Sequence, residues 1–181
     1  MRFSEYGFDR SAFGFGGGGG IKSIQHGLLS MAGTSANVTI TEVDTTKAII
    51  IFSSYNSDVT SMTADKSVVR ASITSSTNIN FVAQTAASLN SQIAWTVVEF
   101  NNVKLLQKGT FTQAGGVGIT KSISQVNVNK SLLFYSFTTE STDTNILQIL
   151  SRAYIEDSTT LSFSFPTGSN VTCNWQLVEF N

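Results

Sequence analysis

His26, Cys173, Glu99 and Glu179 are the residues whose side chains could take part in acid–base, nucleophilic or metal chemistry. His26 is the sole histidine, so a Ser-His-Asp triad or a zinc site would have to gather its partners around that one position. Cys173 is the sole cysteine, which excludes an internal disulfide and a multi-cysteine metal site. It sits among alternating apolar residues, the setting of a small buried hydrophobe rather than of a reactive thiol. Glu99 and Glu179 each stand four residues beyond a tryptophan, Trp95 and Trp175. Glycosidase chemistry needs two carboxyl groups about 5 to 10 Å apart on one sugar. These two instead close separate strands, so a structural role is expected, with Arg70 and Arg152 as candidate ion-pair partners. Both tryptophans lie in alternating apolar runs (Ile93, Trp95, Val97 and Cys173, Trp175, Leu177), which assigns them to a core rather than to a sugar-stacking platform. No catalytic residue, metal ligand or cofactor is expected, and the chain is not expected to be an enzyme.

The elements that must position these residues are repeated. Trp95-Thr96-Val97-Val98-Glu99-Phe100-Asn101 recurs as Trp175-Gln176-Leu177-Val178-Glu179-Phe180-Asn181, an offset of 80 residues. Ile21-Lys22-Ser23-Ile24-Gln25-His26-Gly27 is echoed by Val103-Lys104-Leu105-Leu106-Gln107-Lys108-Gly109, and Arg70-Ala71-Ser72-Ile73 by Arg152-Ala153-Tyr154-Ile155, both at 82. Val43-Asp44-Thr45-Thr46-Lys47 is echoed by Val126-Asn127-Val128-Asn129-Lys130 at 83. Landmarks in one order at nearly one offset indicate an internal duplication. The organisation read from it is a segment over residues 1–20, a first module over 21–101 and a second over 102–181.

Within each module the signals are those of short strands. Ile21–Met31 reads as a first strand, closed by a turn at Ala32-Gly33-Thr34-Ser35. Val38 and Ile40 then alternate with threonines, the run from Ala48 to Phe52 is apolar throughout, and Val68–Ile73, Ile79–Ala83 and Ile93–Phe100 follow, separated by Ser, Thr, Asn and Asp. Strands of this length, about six per module, predict two tandem antiparallel β-sandwiches, an all-β fold. Gly27 reads as an irregularity in the first strand. The polar stretches 53–66 and 137–145 read as loops, the expected place for any ligand recognition.

Charged residues make up only 13% of the chain and the net charge is −1, so there is no basic footprint for nucleic acid. The apolar runs are strand-length, too short to insert in a membrane as helices. The start lacks the apolar run of a secretion signal, so assembly in a cytoplasm is expected. The Asn-x-Ser/Thr triplets at Asn37, Asn129 and Asn170 are read as chance matches in a Ser/Thr-rich chain.

Residues 1–20 differ in kind: Phe3, Tyr6, Phe8, Phe13 and Phe15 are spaced through polar residues and glycines before Gly16-Gly17-Gly18-Gly19-Gly20. A glycine run holds no conformation alone. The alternatives are a disordered tail or an anchor whose aromatics order on a partner.

The Gly-rich leader running into Ile21–Gly27, the segment from Val38 to Ala48 and the terminal Val178-Glu179-Phe180-Asn181 resemble small β-rich structural proteins of tailed bacteriophages, described as tail, tail-fibre or virion accessory proteins. The resemblance implies a virion component assembled in the host bacterial cytoplasm, at the tail tip, baseplate or a fibre, and it transfers no functional residues. The expected partners are other virion proteins, reached through residues 1–20, and further copies of the chain. A trimer is favoured, because three chains would present six modules. A receptor-binding or lectin-like module recognising host-surface glycan is the alternative, and a capsid decoration protein a further one.

Overall fold

Strands whose alternate residues face a core build the sheets. The computed structural model describes residues 20–56, 63–84, 91–114, 118–144, 149–165 and 169–181; the aromatic positions Phe3 to Phe15 lie outside the described residues. The N-terminal half comprises β1 (Ile21–Met31), β2 (Ser35–Thr39), β3 (Ala48–Asn56), a short helix α1 (Ala64–Ser67), β4 (Val69–Ser75), β5 (Asn78–Ala83) and β6 (Ser91–Phe100). The C-terminal half comprises β7 (Leu105–Gln113), β8 (Ile119–Ser122), a 3-10 turn (Val128–Lys130), β9 (Ser131–Thr139), β10 (Arg152–Asp157), β11 (Thr160–Ser164) and β12 (Val171–Glu179).

Every sheet is three-stranded and antiparallel. The orders β1-β6-β3 and β2-β5-β4 in the first half recur as β7-β12-β9 and β10-β11-β8 in the second. Register recurs with topology: Trp95 lies opposite Gly27 and Phe52, and Trp175 opposite Gly109 and Tyr135. The protein is all-β, as its composition of β-branched and aromatic residues requires.

Each half packs its two sheets face to face over its own core. Ile79, Phe81, Ile93, Trp95 and Val97 are central in the first, and Leu161, Phe163, Cys173, Trp175 and Leu177 in the second. Burial along β5 alternates strictly, with Ile79, Phe81 and Ala83 buried and the residues between them half-buried. A third cluster joins the halves: Ile49, Phe100 and Val178 are buried against Val98, Leu106 and Phe134, and the rings of Phe100 and Phe180 meet edge to face at 5.4 Å.

Three local expectations are corrected. The irregularity in β1 falls between Ile21 and Ser23, and Gly27 is in regular register. Chain around Ser35, expected to turn, already belongs to β2, because Ser35 pairs with Val82. The stretch 53–66, expected as loop, contains the end of β3 and α1, whose Ala64 and Asp65 N–H groups donate to the carbonyls of Asp143 and Ser141 at 2.9 and 2.8 Å. The described parts of the two polar stretches therefore bind each other, since their backbone groups need partners once the halves pack together.

Candidate functional site

Glu99 and Glu179 end β6 and β12, where side chains on the inner face reach the end of each sandwich. Both are shielded from solvent, which requires their charge to be compensated. Glu99 accepts from Lys22 Nζ at 2.8 Å, Asp44 N–H at 2.8 Å and Ser23 Oγ at 3.1 Å. Glu179 accepts from Lys104 Nζ at 2.7 Å and Asn127 N–H at 2.9 Å. The N–H donors are presented by repeated turns, in which Asp44 Oδ1 accepts from Thr46 N–H and Asn127 Oδ1 from Asn129 N–H, the local chemistry Asp and Asn favour. Burial pushes both carboxyls up, but the lysine and backbone hydrogen bonds outweigh it and hold each below its usual 4.5. In each pair the glutamate is buried while its lysine reaches solvent.

The expected arginine partners are corrected accordingly: the lysines beside the first strand of each half hold the glutamates. Arg70 lies instead at the contact between halves, where Nη1 is 3.4 Å from Asn174 Oδ1 and burial lowers its pKa. Arg152 is exposed, its guanidinium 5.7 Å from the ring centre of Tyr154.

Trp95 and Trp175 are core residues, 8% and 9% exposed, so neither ring offers a face to a sugar. Each lies against a glycine across the strand pair: a Cβ on Gly27 or Gly109 would come within 2.6 Å of the indole. Cys173 is buried beside Trp175, and burial pushes its thiol up to about 12, the opposite of nucleophile activation. His26 is exposed on β1. The four residues are spread over two cores and one surface. Among the described residues no group of three His, Cys, Asp or Glu side chains could hold a metal ion, and no helix is long and apolar enough to cross a membrane. A shallow depression of about 410 Å³ is lined by Lys104, Gln125, Val126 and Asn127; it borders the Glu179 ion pair and brings no second ionisable pair to it.

A set of polar side chains lies between the halves. Both β3 and β4 are edge strands, and edge strands carry unpaired backbone groups. The outer face of the β7-β12-β9 sheet caps them. Gln176 accepts from Ile50 N–H at 2.9 Å and donates to Ile50 C=O at 2.8 Å. Asn174 donates to Ala71 C=O at 3.0 Å, and Ser136 Oγ accepts from Ala71 N–H at 3.1 Å. Lys108 Nζ donates to Thr45 C=O at 2.8 Å. Lys108 as a whole is exposed, but desolvation of its ammonium where it meets Thr45 pushes it down to about 8 against the opposing pull of Asp44.

The sequence reading did not single out Asn174, Gln176 or Ser136 as joining residues. The available signal was a departure from the repeat: Ala94 and Thr96 stand where the second half has Asn174 and Gln176, at positions that alternate with the core-facing tryptophan. No protein-family model, curated protein or solved structure matches the chain.

Proposed function

We propose that the chain is an architectural component of a tailed-phage particle, placed at a tail tip, baseplate or fibre and attached through residues 1–20. The observation that carries the architectural reading is the contact between halves. The polar side chains between the halves, Gln176, Asn174, Ser136 and Lys108, are engaged by strand-edge backbone, so they serve to join β-modules rather than to meet a substrate. The phage assignment draws its support from the resemblance of the Gly-rich leader and strand segments, and the attachment from five aromatics placed ahead of a glycine run.

The test is incorporation. Particles assembled with the full chain are expected to retain it through purification, as read by mass spectrometry and by its location in a low-resolution map. Particles assembled with residues 1–20 deleted are expected to lose it. Retention of the truncated chain would refute attachment through that segment, and particles that never carry the full chain would refute the virion role.

A further inference from the structure

The contact between the two halves joins unlike surfaces. The first half contributes an edge, the free sides of β3 and β4, and the second contributes a face, the outer side of β7-β12-β9. Because the halves share one topology and register, each surface has a counterpart elsewhere in the chain. The face of the first half is the outer side of β1-β6-β3, where Thr96, Ala94 and Ser53 occupy the places of Gln176, Asn174 and Ser136. The edge of the second half is the free side of β9 and β10, where Leu133 and Ala153 occupy the places of Ile50 and Ala71. Among the described residues neither counterpart surface is covered by its equivalent, and only the end of the first half's face at Ile49 and Val98 packs in the cluster that joins the halves.

Among the described residues, the large hydrophobic side chains left exposed divide between these two surfaces. Ile21, Ile24, Leu28, Ile51 and Tyr55 are on the β1 and β3 strands of the open face, with Leu28 84% exposed. Val128, Leu132, Leu150 and Tyr154 are on or beside the open edge. Their counterparts at the covered edge are engaged. Ile49, which matches Leu132, is 2% exposed in the joint cluster, whereas Leu132 is 52% exposed. Val68, which matches Leu150, packs against the core of the second half. Val128 matches Thr45, whose carbonyl receives Lys108. Apolar patches of this kind on strand faces mark interaction sites.

We propose that a second copy of this chain docks its open β9–β10 edge on the open β1-β6-β3 face, repeating between chains the edge-on-face contact made within one. The occupant is a second copy because the two open surfaces are the structural counterparts of two surfaces already joined in this molecule, and because both carry unsatisfied apolar side chains. The intermolecular contact is the more apolar of the two, with Ala94 and Thr96 in place of the amide caps and Leu28, Ile51 and Tyr55 exposed on the same face. A contact between unlike surfaces does not close on a pair. It propagates into a ring if the rotation closes and into a filament if it does not. This extends the architectural reading by giving it a mode of assembly, and it is separable from it: a chain that is monomeric alone could still be incorporated into particles.

Sedimentation velocity on the full chain tests the contact with two charge-matched variants, Leu28→Glu/Ile51→Glu on the face and Leu132→Glu/Leu150→Glu on the edge. The wild type is expected to associate beyond the dimer or into a closed ring, and each variant alone to be monomeric. An equimolar mixture is expected to form a dimer of one chain of each kind and nothing larger, since one intact face then meets one intact edge. A monomeric wild type, an edge variant that still self-associates, or a mixture that stays monomeric would each overturn the proposal. Circular dichroism and thermal midpoints matching the wild type establish that the variants fold; should either glutamate pair fail this, Leu28→Ser and Leu150→Ser carry the same comparison.

Discussion

Gly27 and Gly109 are defined by what lies opposite them. The indoles of Trp95 and Trp175 occupy the space a side chain would need, with a new Cβ 2.6 Å from ring atoms. Those rings are buried in packed cores and cannot swing aside, and forcing an atom into such a core typically costs about 1–3 kcal/mol. Gly27→Ala and Gly109→Ala are each expected to lower stability by about that amount, measured by urea denaturation. An Ala variant as stable as the wild type would show that the indole has another place to go. The paired glutamates give an acid dependence of predictable sign. Their folded pKa values lie below 4.5, so their stabilisation is fully present above about pH 4.5, the unfolded value, and is lost as pH falls through the folded values. Thermal midpoints are expected to drop below pH 4.5 in the wild type, and to drop less steeply in Glu99→Gln/Glu179→Gln. Equal slopes in the two proteins would remove these carboxylates from the acid response.

At the scale of elements, β3 and β4 are edges that the protein covers with its own second half. Gln176 supplies both a donor and an acceptor to Ile50, and Asn174 with Ser136 does the same for Ala71. Leaving a buried backbone group without a partner costs about 1–3 kcal/mol. Gln176→Ala is expected to destabilise by an amount in that range and to speed hydrogen exchange at the Ile50 amide, with the β2-β5-β4 sheet little affected. Unchanged exchange at Ile50 would mean that the amide cap does not protect the edge. The sequence showed β3 as a continuous apolar run and β4 as a strand beginning near Val68, but it ended β3 at Phe52, whereas the strand continues to Asn56. It did not show which were edges, because strand order depends on pairings between segments far apart in the chain. Gly27 was misread for the same reason: in sequence a glycine in a strand signals a bulge, and only the register shows that it faces a tryptophan.

At the scale of the whole molecule, repetition has two consequences that pull apart. Positions the halves share build each half: Lys22 and Lys104 hold the glutamates, and Gln25 and Gln107 each bridge to backbone across the sandwich, at Thr41 and Ser124. Positions at which the halves differ, Ala94 and Thr96 against Asn174 and Gln176, make one face polar and covered and leave the other open. The open face and open edge are the surfaces that the proposed head-to-tail assembly would use, and they are set by divergence at outward-facing strand positions.

The sequence by itself determined the all-β class and the matching of segment to segment, because a period of two and an offset near 82 are properties of the chain read along its length. It also determined that Trp95, Trp175 and Cys173 are core residues, since each sits in an alternating apolar run. Only the tertiary structure decided that lysines rather than arginines hold Glu99 and Glu179, that two polar stretches bind each other, and that the halves meet edge on face. Those are facts about which surfaces come together in space, and they rest on contacts between segments far apart in the chain, which no local pattern records.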